Sequence, residues 1–157
     1  MSIEAAPPRS SAERTAQAVL LAVTAVVWIA LARLLVAFAR TDLSWRYVAQ
    51  QTRRDAPWYY RIAGVWGGSE GSLLLFVAIV AAVAAVASRG ASARSTWFAA
   101  ATVTALASIS VLVASPFTRL ALPAVRGFGL TPILEHPAMA AHPPLLYAGF
   151  GCTLGVL

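Results

Sequence analysis

From Ala16 to Ala39 the chain is apolar for about 24 residues, interrupted only by a few small polar groups and Arg33. At the helical rise per residue such a run crosses the roughly 30 Å hydrocarbon core of a bilayer. Inside a bilayer the backbone must satisfy its own hydrogen bonds, which leaves helices or closed barrels. The run reads as a transmembrane helix. It is not a signal peptide, because it is too long for a leader's apolar core and no small-residue cleavage pattern follows it. Residues 1–15 read as a polar N-terminal tail with Arg9 and Arg14, and residues 16–157 as one membrane domain.

Composition extends this reading to the whole chain. Hydrophobic residues make up 59% and charged residues 11%, too little charge to coat a soluble domain of 157 residues. The basic excess is all arginine, twelve against six acids, and is scattered between apolar blocks rather than gathered on one stripe, which argues against nucleic acid as a partner. The single Cys152 excludes an internal disulfide and a cysteine cage for metal.

Two further spans follow, roughly Gly71 to Ala87, rich in alanine that lets helices approach closely, and Trp97 to Ala114, which ends at Ser115-Pro116. A fourth apolar segment starts near Pro143 and is too short to cross, so the sequence is expected to be a piece of a longer protein. The fold expected is all-α: a polytopic integral membrane protein with three complete transmembrane helices, the start of a fourth, and interfacial helices in its long connectors. In the connector Asp42 to Ser69, Asp42 or Ser44 is expected to cap one short helix with Trp45, Val48 and Ala49 on one face. Asp55 is expected to cap a second, with Pro57 in its first turn and Trp58, Ile62 and Val65 in helical register. Trp45, Tyr47, Trp58, Tyr59, Tyr60 and Trp66 would form an aromatic belt at headgroup depth. The connector Ser115 to Ala141 carries Pro116, Pro123, Pro132 and Pro137 and reads as an ordered, irregular loop. The two long connectors share one side of the membrane and carry seven arginines, against four on the other side. A count of positive charge would place them in the cytoplasm.

Few residues offer chemistry. His142 precedes Pro143 and Pro144; a residue before proline is pushed to extended geometry, and proline suits a helix start, so the imidazole would stand on a stiff pedestal at the mouth of a membrane helix. A haem iron needs a neutral imidazole nitrogen held in that way, although a capping role would serve as well. His136 is separated from it by Pro137, which should break any helix between them, so a two-histidine metal site is not expected. Glu70 opens the second span, where the helix dipole favours an acid; a polar contact to a cofactor or partner is the alternative. Trp66 with Gly67 and Gly68 fits either a flat surface for a macrocycle or close packing. Arg46, Arg53, Arg54 and Arg61 could pair with propionates or face solvent. Arg33 reads as a snorkelling side chain. No nucleophile–base pair, phosphate-binding loop, dinucleotide fingerprint or HExxH occurs, and no catalytic residue is identified.

Three separated strings resemble one family. They are Asp42-Leu43-Ser44-Trp45-Arg46-Tyr47-Val48-Ala49; then Pro57-Trp58-Tyr59-Tyr60-Arg61 with Trp66-Gly67-Gly68-Ser69-Glu70-Gly71-Ser72; and Ser115-Pro116-Phe117-Thr118-Arg119 with His142-Pro143-Pro144-Leu145-Leu146-Tyr147. In this order and spacing they resemble the CcmF and NrfE family of cytochrome c biogenesis. The resemblance implies a multi-pass protein of the bacterial inner membrane, a haem lyase component that receives haem from a haem chaperone. It would work with a partner subunit that holds apocytochrome c, joining the vinyls of haem b to the thiols of a CxxCH sequence. It implies long connectors on the periplasmic or external side, against the charge count, and His142 as an axial ligand to the haem iron; Trp66, Glu70 and Arg61, singled out above from the residues alone, are kept as further candidates for haem contact. Ser69 and His136 depart from the pattern, which often has His and Asp there, and the second external histidine would lie downstream. A non-haem-binding scaffold subunit and a haem transporter are the alternative readings.

Overall fold

In the computed structural model, residues 9–156 are described, with side chains through Thr153; most of the expected polar tail, residues 1–8, lies outside them. From Ser11 onward that tail is helix. Helix α1 runs Ser11–Ala39, five residues earlier than the apolar run, because Ser10 and Glu13 close a capping box: Ser10 Oγ accepts from the Glu13 amide at 3.2 Å and Glu13 Oε2 from the Ser10 amide at 2.9 Å. Then come α2 (Arg46–Gln51), α3 (Trp58–Ala63), a 3₁₀ turn Gly64–Trp66, α4 (Ser69–Ala87), α5 (Ala93–Leu112) and α6 (Pro137–Val156). Helices α1, α4 and α5 are each long and apolar enough to cross a membrane. The chain is an all-α membrane protein, and among the described residues its only β pairing is an isolated bridge, Trp45 with Arg119.

Half of the most apolar window of α4 is buried, against 22% in α1 and α5, so α4 is the central helix. Its alanines explain why: Ala78, Ala81 and Ala85 let α1 and α5 come close, with Ala81 packing against Leu20, Ala100 and Val103. Polar groups near the far end are paired across helices. Gln17 Nε2 donates to the Ala85 carbonyl at 3.3 Å, and its Oε1 accepts from Ser88 Oγ at 2.9 Å.

Helix α1 stops in a Schellman turn. Thr41 adopts φ 52°, its amide donates to the Phe38 carbonyl at 3.0 Å, and the Asp42 amide to the Ala37 carbonyl at 2.9 Å. The two expected helix caps in this connector do not form. The cap position of α2 is Trp45 and that of α3 is Pro57, and neither side chain caps its helix with a hydrogen bond. Asp42 is occupied one step earlier, accepting from the Ser44 amide (3.1 Å), Ser44 Oγ (2.6 Å) and Trp45 Nε1 (2.9 Å). Asp55 faces Arg53 at 3.5 Å. Trp45, Val48 and Ala49 share the buried face, as expected. The aromatic belt, however, is divided: Trp58 and Tyr59 are exposed, whereas Trp45 and Tyr47 belong to the core. Tyr47 packs edge-on against Phe38, and its hydroxyl, pushed to a raised pKa by burial, donates to the Val65 carbonyl (3.1 Å) and accepts from the Gly68 amide (3.0 Å).

The second long connector is laced onto the first through its main chain. Arg46 donates to the Thr118 carbonyl (2.9 Å), Leu120 to Ser44 (2.8 Å), Ala124 to Leu43 (3.1 Å), Phe128 to Ala49 (2.8 Å) and Gly129 to Thr52 (3.3 Å). The connectors therefore form one layer across the end of the bundle. A Cβ at Gly71 would collide with the Val65 carbonyl oxygen and with Tyr47 Oη, so the α4 start can pack on this layer only without a side chain there.

Gly71→Ala is expected to destabilise the protein by about 3 kcal/mol, read as a lower thermal midpoint in detergent. The Asp42 carboxyl is held below its ordinary 3.8, first by the Ser44 hydroxyl and, against the opposing effect of burial, by the Ser44 amide, Trp45 and the charge of Arg119. A depressed folded-state pKa contributes stability that is full above 3.8 and lost as the pH falls below it. Unfolding followed from pH 7 to pH 3 should show this acid-side loss, roughly over that range, in the wild type, whereas Asp42→Asn should be less stable at neutral pH with a flatter acid limb.

Candidate functional site

The segment that carries His142 is helical well before it was expected to be. Helix α6 begins at Pro137, and His142, Pro143 and Pro144 all lie within it. The expectation that His142 would be extended and that Pro137 would break the helix is therefore corrected. Pro137 sits at the first helical position, where its missing N–H costs nothing. His136 supplies the cap: its Nδ1 accepts from the Ala138 amide at 3.2 Å, and its carbonyl from the Met139 and Ala140 amides at 2.9 and 3.0 Å. The capping role thus belongs to His136, which leaves the exposed His142 ring free of any recorded hydrogen bond.

Pro143 and Pro144 remove two rungs of α6, those that would end on the carbonyls of Met139 and Ala140. Trp66 Nε1 donates to the Ala140 carbonyl at 2.8 Å and replaces the second rung. Nearby, Tyr60 Oη donates to the Glu135 carbonyl at 2.5 Å. The Glu135 carboxylate pairs with Arg53 at 3.1 Å. Three side chains of the first long connector therefore fasten the turns on either side of His136 and directly before His142. Phe76 and Tyr147, edge-on at 5.5 Å, continue the contact between α4 and α6.

The other candidates are not gathered around His142. Arg61 Nη1 donates to Thr41 Oγ1 at 3.2 Å and the Ala39 carbonyl at 3.4 Å, placing its charge at the C-terminal, negative end of α1. Glu70, half-buried in the first turn of α4, accepts from Ser69 Oγ at 3.1 Å. Neither has a recorded bond to α6. Arg53 and Arg54 line a groove of about 660 Å³ with Arg126 and Phe128, and Arg46 is exposed on α2. The Trp-Gly string is packing rather than a flat platform: a Cβ at Gly67 would strike Leu130, and one at Gly68 would lie 2.8 Å from Gln51 Nε2. Sequence reasoning placed Tyr60 in a belt and missed its bond to the Glu135 carbonyl, two residues before α6, for which no local signal exists.

The arrangement fits haem on one side. His142 presents an imidazole to solvent, and Leu145 and Leu146, at i+3 and i+4, are exposed apolar neighbours on the same side of the helix. Among the described residues no group of three or more His, Cys, Asp or Glu could hold a bare metal ion.

Several curated proteins are similar to the chain. It is 37% identical over 139 residues to the probable cytochrome c-type biogenesis protein NrfE of Escherichia coli, covering 84% of this chain and 25% of that protein. It is 34% identical to the cytochrome c-type biogenesis protein ccl1 of Rhodobacter capsulatus, covering 80% and 20%, and 34% identical to CcmF of Pseudomonas aeruginosa, covering 73% and 19%. The chain spans a quarter or less of the length of these relatives. No protein-family model matches it, and no solved structure does.

Trp66→Phe removes the donor but keeps the ring. Hydrogen exchange in the segment 137–145 should then quicken, consistent with loss of about 1–3 kcal/mol of local protection. Adding Pro144→Ala should slow it again, because the new backbone N–H at position 144 can reach the Ala140 carbonyl.

Proposed function

We propose, since the chain belongs to the CcmF and NrfE family of cytochrome c-type biogenesis proteins, that it acts in cytochrome c maturation, in handling haem and attaching it covalently to apocytochrome c. The observation that carries this reading is His142: an exposed imidazole whose capping duty is taken by another histidine, on a turn fastened by Trp66. A neutral ring nitrogen there would hold haem by its iron, and the exposed Leu145 and Leu146 would offer it apolar contact. Haem, as substrate, supplies two vinyl groups; each accepts a cysteine thiol of a CxxCH sequence, the sulfur bonding to one vinyl carbon and the proton passing to the other.

The chain's own part is positioning. Trp66 and Tyr60 fix the turns beside His142, and Trp66 acts on haem through that turn. Glu70 remains available for a polar contact with haem or a partner. Arg61 sets the end of α1 and is assigned no propionate. The proposal includes haem b as substrate and bound group, a haem chaperone as donor, and a partner subunit that presents apocytochrome c. It places the protein in the bacterial inner membrane with both long connectors outside, where an exported cytochrome is met.

A non-haem-binding scaffold is a second reading. It is favoured by the exposed Val125 and Phe128 beside Arg54 and Arg126, a surface suited to another protein. The two readings separate on haem content. In the purified full-length gene product, a pyridine haemochrome assay and visible spectrum should show haem that is lost, or spectrally altered, in His142→Ala with helical content unchanged. An identical spectrum in the variant would remove His142 as ligand, and absence of haem from both proteins would favour the scaffold.

A further inference from the structure

At the membrane edge of the connector layer lies a second groove, of about 400 Å³, that neither reading above uses. Ile29, Arg33, Val36 and Arg40 of α1 form its floor, and Asp42, Trp45 and Arg119 its upper wall. The floor residues are spaced i, i+4, i+7 and i+11, so they make one stripe along the helix, continued below by exposed Val26 and Ala22. The stripe is apolar from Ala22 to Ile29, and above that Arg33 and Arg40 flank the exposed Val36.

The upper wall is built around the Trp45 ring. The Arg119 guanidinium lies 4.8 Å from its centroid and that of Arg33 6.0 Å. Trp45 is held in turn by the bond from its Nε1 to Asp42, and Arg119 by a bond to Ser44 Oγ at 3.1 Å. Asp42 is the one acid in the lining, and its carboxylate oxygens are engaged by Ser44 and Trp45. Three guanidinium groups against one carboxylate leave the groove two positive charges. Among the described residues none of the three arginines makes an ion pair within 4.0 Å.

From this geometry we propose that the groove is a binding site for one anionic phospholipid. The phosphodiester sits between Arg33, Arg40 and Arg119, and an acyl chain lies down the Val36–Ile29–Val26 stripe. Charge and depth select this occupant. Arg33 lies six residues, about 9 Å, below the end of α1, a depth at which an uncompensated cation is costly. An apolar helix laid over the groove would bury three arginines without compensation, whereas a phosphate accepts forked hydrogen bonds from them and carries the opposite charge. The site rests on no assumption about haem.

Native mass spectrometry of the full chain, released from phosphatidylcholine nanodiscs doped with phosphatidylglycerol, tests it. One phosphatidylglycerol adduct per chain should survive release conditions that strip phosphatidylcholine. Arg33→Gln and Arg119→Gln should each weaken retention about fivefold. Arg89→Gln, in the turn at the opposite end of the bundle, should leave it unchanged. If Arg119→Gln misfolds through loss of its Ser44 bond, Arg33→Gln, whose side chain has no recorded hydrogen bond, and the comparison of the two lipids on the wild type still decide. Equal retention of the two lipids would overturn the proposal. So would retention undiminished in Arg33→Gln, or an adduct of haem mass in place of the lipid.

Discussion

A membrane helix closes its own backbone hydrogen bonds, but an irregular connector must find partners elsewhere, and here each long connector finds them in the other. The main-chain bonds from residues 118–129 to carbonyls of residues 43–52, with the reverse bond from Arg46 to Thr118, turn two loops into one layer. The rest of the connector end is built on that layer. Trp45 is held by Asp42 and covered by Phe117, edge-on at 5.8 Å, which fixes the ring that Arg33 and Arg119 approach. Tyr47, two residues from the bridge at Trp45, reaches the Gly64–Trp66 turn and so sets where α4 begins and where Trp66 points. The bond from Trp66 to α6 follows.

Arginine divides into separate duties within this frame. Arg61 offsets the partial negative charge at the end of α1, Arg53 is shared between Asp55 and Glu135, and Arg119 lies over an aromatic ring. Planar guanidinium groups suit all three tasks, because each can stack or make forked bonds as well as carry charge, and the chain uses no lysine anywhere. The surplus of positive charge on the connector side is thus partly structural. With Arg53 and Arg61 engaged in this way, a bare count of basic residues overstates the charge left free, which is why it carries little weight against the orientation proposed above.

The three spans were legible because their signal is local: an apolar run of sufficient length needs no knowledge of its neighbours. The buried face of α2 was legible for the same reason, since Trp45, Val48 and Ala49 follow helical spacing. What failed were inferences in which a local rule met a competing partner, whether close in the chain or far along it. Asp42 looked like a helix cap, but its oxygens were claimed by Ser44 and the Trp45 indole. Tyr47 looked interfacial, but Phe38 and the Gly64–Trp66 turn enclose it. Pro143 and Pro144 looked like a helix start, because a proline pair normally leaves carbonyls unpaired; Trp66, 74 residues before Ala140, supplies one missing bond. His142 was legible as a residue to watch, while the cap that frees its ring comes from His136.

The lacing also bears on how such a chain is made. Residues 43–52 leave the ribosome before α4, α5 and the strand-like segment around Arg119 exist, and their main-chain partners arrive only with residues 118–129. During that interval the carbonyls of Leu43, Ser44, Ala49 and Thr52 lack these protein partners, a state that water tolerates and hydrocarbon does not. The first connector must therefore wait in the aqueous phase until two more helices have been threaded. Helices can insert one by one, but the connector layer can be assembled only afterwards, as a late, post-insertion event.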